Sequence, residues 1–193
     1  MEPVSPGGHL VTTVAACTGA VVVSQGLPAG DTVALTAGIA AGGFLIDVDH
    51  AVDYVLFERQ RDLRPSAFLQ YYLAGRVQRT VLVLHSYELF VLLGLLAWWV
   101  DTLPLTGYLV GALMHLALDV RFNGEQTPRS IGAFYSFTYR AVHRFDAARL
   151  LALQEREVPA QFWTAFFSGA TAEVTGLAVA RDERPGSREP EAA

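Results

Sequence analysis

Residues 80–100 read TVLVLHSYELFVLLGLLAWWV. The run carries one formal charge, at Glu88, and ends in the aromatic pair Trp98-Trp99. A helix needs about 20 apolar residues to cross a bilayer, and paired Trp suits the membrane–water interface. The stretch therefore predicts a membrane helix, and the rest of the chain is read outward from it.

Downstream, Asp101-Thr102-Leu103-Pro104 makes a short break before a second apolar segment, Leu105 to Val120. Upstream, Thr32 to Ile46 is rich in Ala and Gly, with Gly42 and Gly43 suited to close helix approach. Before it, Leu10 to Gly26 is ended by the turn signal Leu27-Pro28-Ala29-Gly30-Asp31. Only residues 80–100 reach the full spanning length. Short connections make neighbouring helices antiparallel, so the expected fold is all-α: a membrane-embedded antiparallel bundle of about four apolar helices. A water-soluble bundle with unusually apolar helices is the alternative.

The loops favour the membrane. Arg59, Arg61, Arg64, Arg76 and Arg79 lie between the second and third segments, and Arg121 and Arg129 follow the fourth. The opposite loops carry Asp31 and Asp101 and no base. The bias of Arg toward the inner side of a membrane makes the Arg-rich face cytoplasmic. On that face Ser66 to Gly75 reads as a short interfacial helix. Ala133 to Leu153, which mixes aromatics with Arg140, Arg144 and Arg149, reads as an amphipathic helix on the membrane or capping the bundle. Pro159 to Ala180 reads as a final packed helix. The expected organisation is one helical membrane domain over residues 1–180, followed by a disordered polar tail over 181–193.

Composition agrees. The chain is 52% hydrophobic and 17% charged, below the quarter or so usual in soluble domains. Its net charge of -5 and lack of a basic block argue against nucleic acid as a partner. One cysteine excludes an internal disulfide framework. Val14-Ala15-Ala16-Cys17 has small residues before a Cys, but no base precedes it, and Cys17 is expected to be a packing residue.

Polar clusters punctuate the ends of the apolar segments. His9 precedes the first; Asp47, Asp49 and His50 close the second; His85 and Glu88 lie near the start of the third; His115 and Asp119 close the fourth. In an antiparallel bundle the odd starts and even ends share one side, so the clusters converge. Spacings of three or four put Asp47 with His50, His85 with Glu88, and His115 with Asp119 on common helix faces. Imidazoles with carboxylates suit a divalent metal, zinc first, with manganese or iron as alternatives to it. The expected ligands are His9, Asp47, His50, His85, His115 and Asp119, with Asp49 or Glu88 as catalytic base or supporting partner. Taken singly, His9 reads as a terminal surface residue and Asp47-Val48-Asp49-His50 as a helix cap. His143, with Asp146 three residues on, is assigned to the polar side of its helix. Arg76 and Arg79 are read as surface residues before anion contacts.

The order His9, Asp47-Val48-Asp49-His50, His85-Ser86 and Gly111-Ala112-Leu113-Met114-His115 with Asp119 resembles the bacterial inner-membrane-associated metal-dependent hydrolases. That family has an N-terminal His, a PDIDH-like motif, a THS motif and a GxxxHxxxD motif. The resemblance spans roughly residues 9 to 123. Ile46 stands where the family commonly has Pro. The family's extra His before the Ser-containing motif has no counterpart in Arg79-Thr80-Val81-Leu82-Val83-Leu84-His85-Ser86, so this chain reads as a variant branch with Glu88 as the substitute group. The resemblance implies hydrolysis of a phosphoester or lipid-linked ester at the inner membrane, with a metal pattern similar to zinc-dependent phospholipase C and P1-type nucleases. Two rival readings stand beside it: a di-iron redox enzyme, and a non-catalytic membrane protein whose clusters lock helices together or bind a metal.

Overall fold

The computed structural model describes residues 6–122, 127, 130–153 and 158, with side chains from His9 on the first helix. These belong to a unit covering Met1–Val158; Pro159–Ala193 form a second. The expected packed helix over 159–180 and tail over 181–193 lie outside the described residues.

Glycines set the centre of the bundle. Helix α2 (Ala29–Leu45) packs along α6 (Leu103–Phe122) more extensively than any other pair. Gly38 and Gly42 of α2 meet Gly107 and Gly111 of α6 backbone to backbone. A Cβ at any of the four would overlap a backbone oxygen of the other helix, from Pro104, Tyr108, Leu35 and Ile39 respectively. Helix α1 (Pro6–Val23), begun by a Pro at its first position, lies against α2: Thr13 fills the space beside Gly43, and the Cys17 thiol points to the Thr36 carbonyl at 3.7 Å. Cys17 is thus a half-buried packing residue.

The second apolar segment does not end at its polar cluster. Ile46 and Asp47 keep right-handed helical angles, and the chain continues through α3 (Val48–Val52) into a π-helical turn, Asp53–Phe57. Ala29–Phe57 and Leu103–Phe122 are each long and apolar enough to cross a membrane.

The third segment differs from expectation. Its helix, α5, covers only Tyr87–Val100, 14 residues, begun by Ser86, whose hydroxyl accepts from the Leu89 N–H, and ended by Asp101 in the left-handed region. Residues 80–86 form a non-helical loop, buried except at exposed Val83 and half-buried Leu84, with Leu82 at φ 45°. Polar groups from elsewhere replace the helical hydrogen bonds. Asp53 accepts from the N–H groups of Val81 and Leu82, and Asp49 from those of Leu84 and His85. Arg140 donates to the carbonyls of Val81, Leu82 and His85. A buried backbone must be paired; hydropathy alone does not reveal a loop paired by distant side chains.

A short helix does form where one was expected over Ser66 to Gly75: α4 (Pro65–Leu73). The predicted amphipathic helix over 133–153 is instead three short ones: α7 (Ile131–Phe134), α8 (Phe137–Val142) and α9 (Ala147–Leu150). Ser130, Ser136 and Asp146 each cap one, and Arg144 and Phe145 have positive φ between the last two. They pack on the loop: Thr80 N–H donates to the Phe145 carbonyl, Ala147 N–H to Gln78, and Tyr87 N–H to Tyr135. Among the described residues there is no strand, and one isolated bridge joins Arg79 to Asp146.

The buried core runs from Ile46 through Leu82, Phe90, Ala112 and Leu116 to Phe134, Tyr135 and Leu150. Outside it, the helices present apolar surface. Val91, Leu92 and Leu95 of α5 are exposed, and Trp98 and Trp99 are 83% and 82% exposed.

Candidate metal centre

Alternation of direction, with α1 antiparallel to α2, α5 antiparallel to α6 and α2 parallel to α6, brings the start of α1, the end of α2, the loop before α5 and the end of α6 to one place. Two carboxylates organise it. The Oδ1 of Asp47 lies 3.3 Å from Nε2 of His115, 3.5 Å from Nε2 of His85 and 4.0 Å from Nε2 of His50. Asp119 lies 3.3 Å from Nε2 of His9 through Oδ1, and 3.4 and 3.6 Å from Nε2 of His85 and His115 through Oδ2. His85 and His115 are therefore shared between the carboxylates, while His50 completes one set and His9 the other. Two donor groups, His9–His115–Asp119 and Asp47–His50–His85, each have ligand atoms close enough to hold one ion.

The tautomers follow from the outer partners. His115 Nδ1 lies 2.9 Å from the Gly43 carbonyl, which can only accept. His85 Nδ1 lies 3.0 Å from the Asp49 carboxylate, which also accepts the Leu84 and His85 N–H groups. Both Nδ1 atoms must then carry the proton, leaving a lone pair on each Nε2 in the neutral ring. Those lone pairs face carboxylate oxygens. His85 Nε2 is buried and has no hydrogen-bond partner. Lone pairs and carboxylates crowded together repel one another unless a cation or proton lies between them. The His9 and His115 rings stack at 4.0 Å between centroids, which aims both Nε2 atoms toward Asp119.

The supporting residues are arranged as metal sites require. A ligating imidazole whose other nitrogen is held by a carboxylate or carbonyl has its orientation fixed and its basicity raised. Asp49 does this for His85, and Gly43 for His115. The glycine seam thereby links helix packing to the site, since it brings α6 close enough for His115 to reach the α2 backbone.

Six expected ligands meet here: His9, Asp47, His50, His85, His115 and Asp119. Asp49 is 4% exposed and engaged with His85 and the loop backbone, so it orients the His85 ring and is not placed as a catalytic base. Glu88 does not join the site. Its carboxylate accepts from the Ser136 hydroxyl and from the N–H groups of Phe137 and Thr138, anchoring the start of α8. The reason is the loop: with α5 beginning at Tyr87, His85 and Glu88 do not share a helix face. His143 bonds the Tyr139 carbonyl through Nδ1 and belongs to neither donor group.

Arg140 is the residue that sequence reading misplaces. Expected on a polar helix face, it is fully buried and donates to four carbonyls, those of Val81, Leu82, His85 and Phe134. Burial pushes its guanidinium down to about 10, which leaves it a cation at neutral pH, within the field of Asp49, Glu88 and Asp53. It shapes the loop that presents His85. Its only sequence signal is a lone Arg among aromatics, which an interfacial helix shows equally well.

The centre has one open edge. His85 and His115 side chains are 2% exposed, but Asp47 is 51% and His50 31% exposed. Tyr72 of α4 borders this edge, its ring set edge-on to His50 and its hydroxyl donating to the His50 carbonyl. Solvent reaches the donors from the Asp47 side. The donor set fits a divalent metal on these grounds: imidazole nitrogen with carboxylate oxygen, a buried unpartnered Nε2, and outer-shell partners already in place. Comparison with models of known protein families, with curated proteins and with solved structures gives no match to this chain.

Proposed function

We propose that the protein is a membrane-embedded, metal-dependent hydrolase of a phosphoester or lipid-linked ester. The observation that carries this reading is the pair of Nε2 lone pairs, on His85 and His115, turned by Asp49 and Gly43 toward two carboxylates. Zinc is the first candidate, held by His85, His115, Asp47 and Asp119, with His9 and His50 closing the two donor sets. When bound, a divalent ion would lower the pKa of water and polarise a scissile oxygen. The chain's own part is positional. Buried His85, His115 and Asp119 form a fixed floor, and Asp47 with His50 forms the accessible rim. Membrane embedding is supported by the two spanning-length helices and by the apolar outer face of α5. The Arg-rich loops at the metal end support an inner-membrane location with the centre facing the cytoplasm. The resemblance in motif order supports the hydrolase class. The di-iron reading is weaker, because among the described residues neither donor group contains a Glu.

The test is metal content of detergent-purified full-length protein by mass spectrometry, beside His115→Ala and Asp47→Ala. One or two zinc ions per chain in the wild type, lost in both variants, supports the centre. Hydrolysis of bis(p-nitrophenyl) phosphate that follows zinc loading supports the activity. Iron in place of zinc would move the redox reading to first place. A folded wild type that takes up no zinc, manganese or iron would overturn the proposal.

A further inference from the structure

Helices α5 and α6 are joined by a tight turn at Asp101-Thr102, far from the metal end, and stay in contact at Gly94, where an added Cβ would lie 4.0 Å from Leu109. Toward the metal end they part. A groove of about 930 Å³ opens between them, within the size range of ligand sites. Phe90 and Leu116, both buried, line its depth; Tyr87, Val91 and Leu113 line its more exposed sides, and Arg121 its end. It is a wedge, apolar along its length and cationic at its mouth. From Leu113 to Arg121 it extends about 12 Å at the rise of an α-helix. That is close to the ~15 Å half-thickness of a bilayer's hydrocarbon core.

We propose that this wedge binds an acyl chain of one anionic phospholipid, with the headgroup held by Arg121. The inference rests on the membrane reading above, but on none of the metal ligands. Polarity fixes the direction. A lipid of the leaflet at the metal end carries its tail toward the bilayer centre, where Gly94 and Leu109 close the wedge, and its phosphate at the level of Arg121. The Arg121 guanidinium stands 5.5 Å over the Phe122 ring, exposed at the last turn of α6. A neutral apolar ligand would use the groove but not the cation; a soluble anion would use the cation but not the groove. An anionic lipid uses both. The wedge lies on the α5 side of α6, whereas His115 and Asp119 face the donor set with α1 and α2, so the lipid is a bound partner distinct from the substrate.

Native mass spectrometry of the detergent-purified full-length protein tests this, with dioleoyl phosphatidylglycerol or dioleoyl phosphatidylcholine added. The wild type is expected to retain one phosphatidylglycerol at collision energies that strip phosphatidylcholine. Arg121→Gln should bring the two lipids to parity. Ala117→Trp, which places an indole in the groove, should remove the retained lipid altogether. Zinc content of the same samples should stay at the wild-type level, separating this result from failure of the metal centre. The proposal is overturned if zinc-loaded, micelle-bound wild type holds both lipids equally, if Ala117→Trp and Arg121→Gln hold phosphatidylglycerol as the wild type does, or if a dimer occupies the place of the lipid. A wild type that stays in solution without detergent and binds neither lipid would remove the membrane reading as well.

Discussion

Each polar residue at the centre serves one of two tasks, and their substitutions should separate accordingly. Asp47 and Asp119 offer oxygens to the donor sets; Asp49, Asp53 and Arg140 shape what holds His85. Asp49→Asn keeps the volume but removes the charge that fixes the His85 ring. Loss of such an outer partner typically weakens metal binding by about 10–100-fold. A zinc titration against a chelating indicator should show that loss while the far-ultraviolet spectrum stays unchanged. Wild-type affinity in Asp49→Asn would mean that His85 is not a ligand. Arg140 is a harsher case. Arg140→Met removes the guanidinium donors from four buried carbonyls; that of Leu82 keeps the His85 N–H, while each of the other three costs about 1–3 kcal/mol when unpaired, which should prevent accumulation of folded protein. Arg140→Lys keeps the cation but offers three donors in place of five. It should fold with a lowered thermal midpoint and weaker zinc binding. An Arg140→Lys protein indistinguishable from wild type in both would show that the loop keeps its shape without the guanidinium.

Among the elements, the α2–α6 seam is where a single methyl should tell most. Gly42→Ala or Gly111→Ala would drive a Cβ into the facing backbone, which no rotamer relieves. Overpacking of this kind costs typically about 1–3 kcal/mol. Gly19 of α1 has open space around its missing Cβ, and Gly19→Ala should hold or raise stability through helix propensity. Thermal unfolding of the three variants in one detergent checks the contrast; equal midpoints would mean the helices are not in backbone contact. The seam also marks how far the sequence can be read. Ala- and Gly-rich segments with polar residues at matching ends signal closely packed helices that alternate in direction along the chain, which sets α2 parallel to α6, and the convergence of six candidate ligands follows from that pattern. The loop before α5 does not. Thr80 to Leu84 has the hydropathy of a membrane helix, and its true partners, Asp49, Asp53 and Arg140, stand about 30 to 60 positions away. Glu88 was misread for the same reason: its helical spacing from His85 has meaning only if both stand on one helix. The break of residues 133–153 into three helices was more accessible, since Ser130, Ser136 and Asp146 are all good N-caps.

For the molecule as a whole, topology and metal make a single argument. If Ala29–Phe57 and Leu103–Phe122 cross a membrane in the same direction, as their parallel packing at the glycine seam requires, the Arg-rich connection after Phe57 and the metal end share one side, and Asp101-Thr102 lies on the other. In a Cys17→Ala background, a cysteine at Arg61 should react with a membrane-impermeant maleimide only from the inner side, and one at Thr102 only from the outer. The reverse pattern would overturn the cytoplasmic assignment. A bound metal would then act as a long-range tie, because the candidate donors stretch from His9 to Asp119 and come from four elements of the bundle. A ligand bound only by the native state stabilises it in proportion to RT ln(1 + [L]/Kd), about 4 kcal/mol at a thousandfold excess over Kd. Chelation should therefore lower the wild-type unfolding midpoint, and stoichiometric zinc should restore it. His115→Ala, already lacking a shared donor, should respond to neither treatment. A wild type equally indifferent to chelator and zinc would mean that the imidazoles and carboxylates are paired through protons, and that the centre is a structural knot at the end of the bundle.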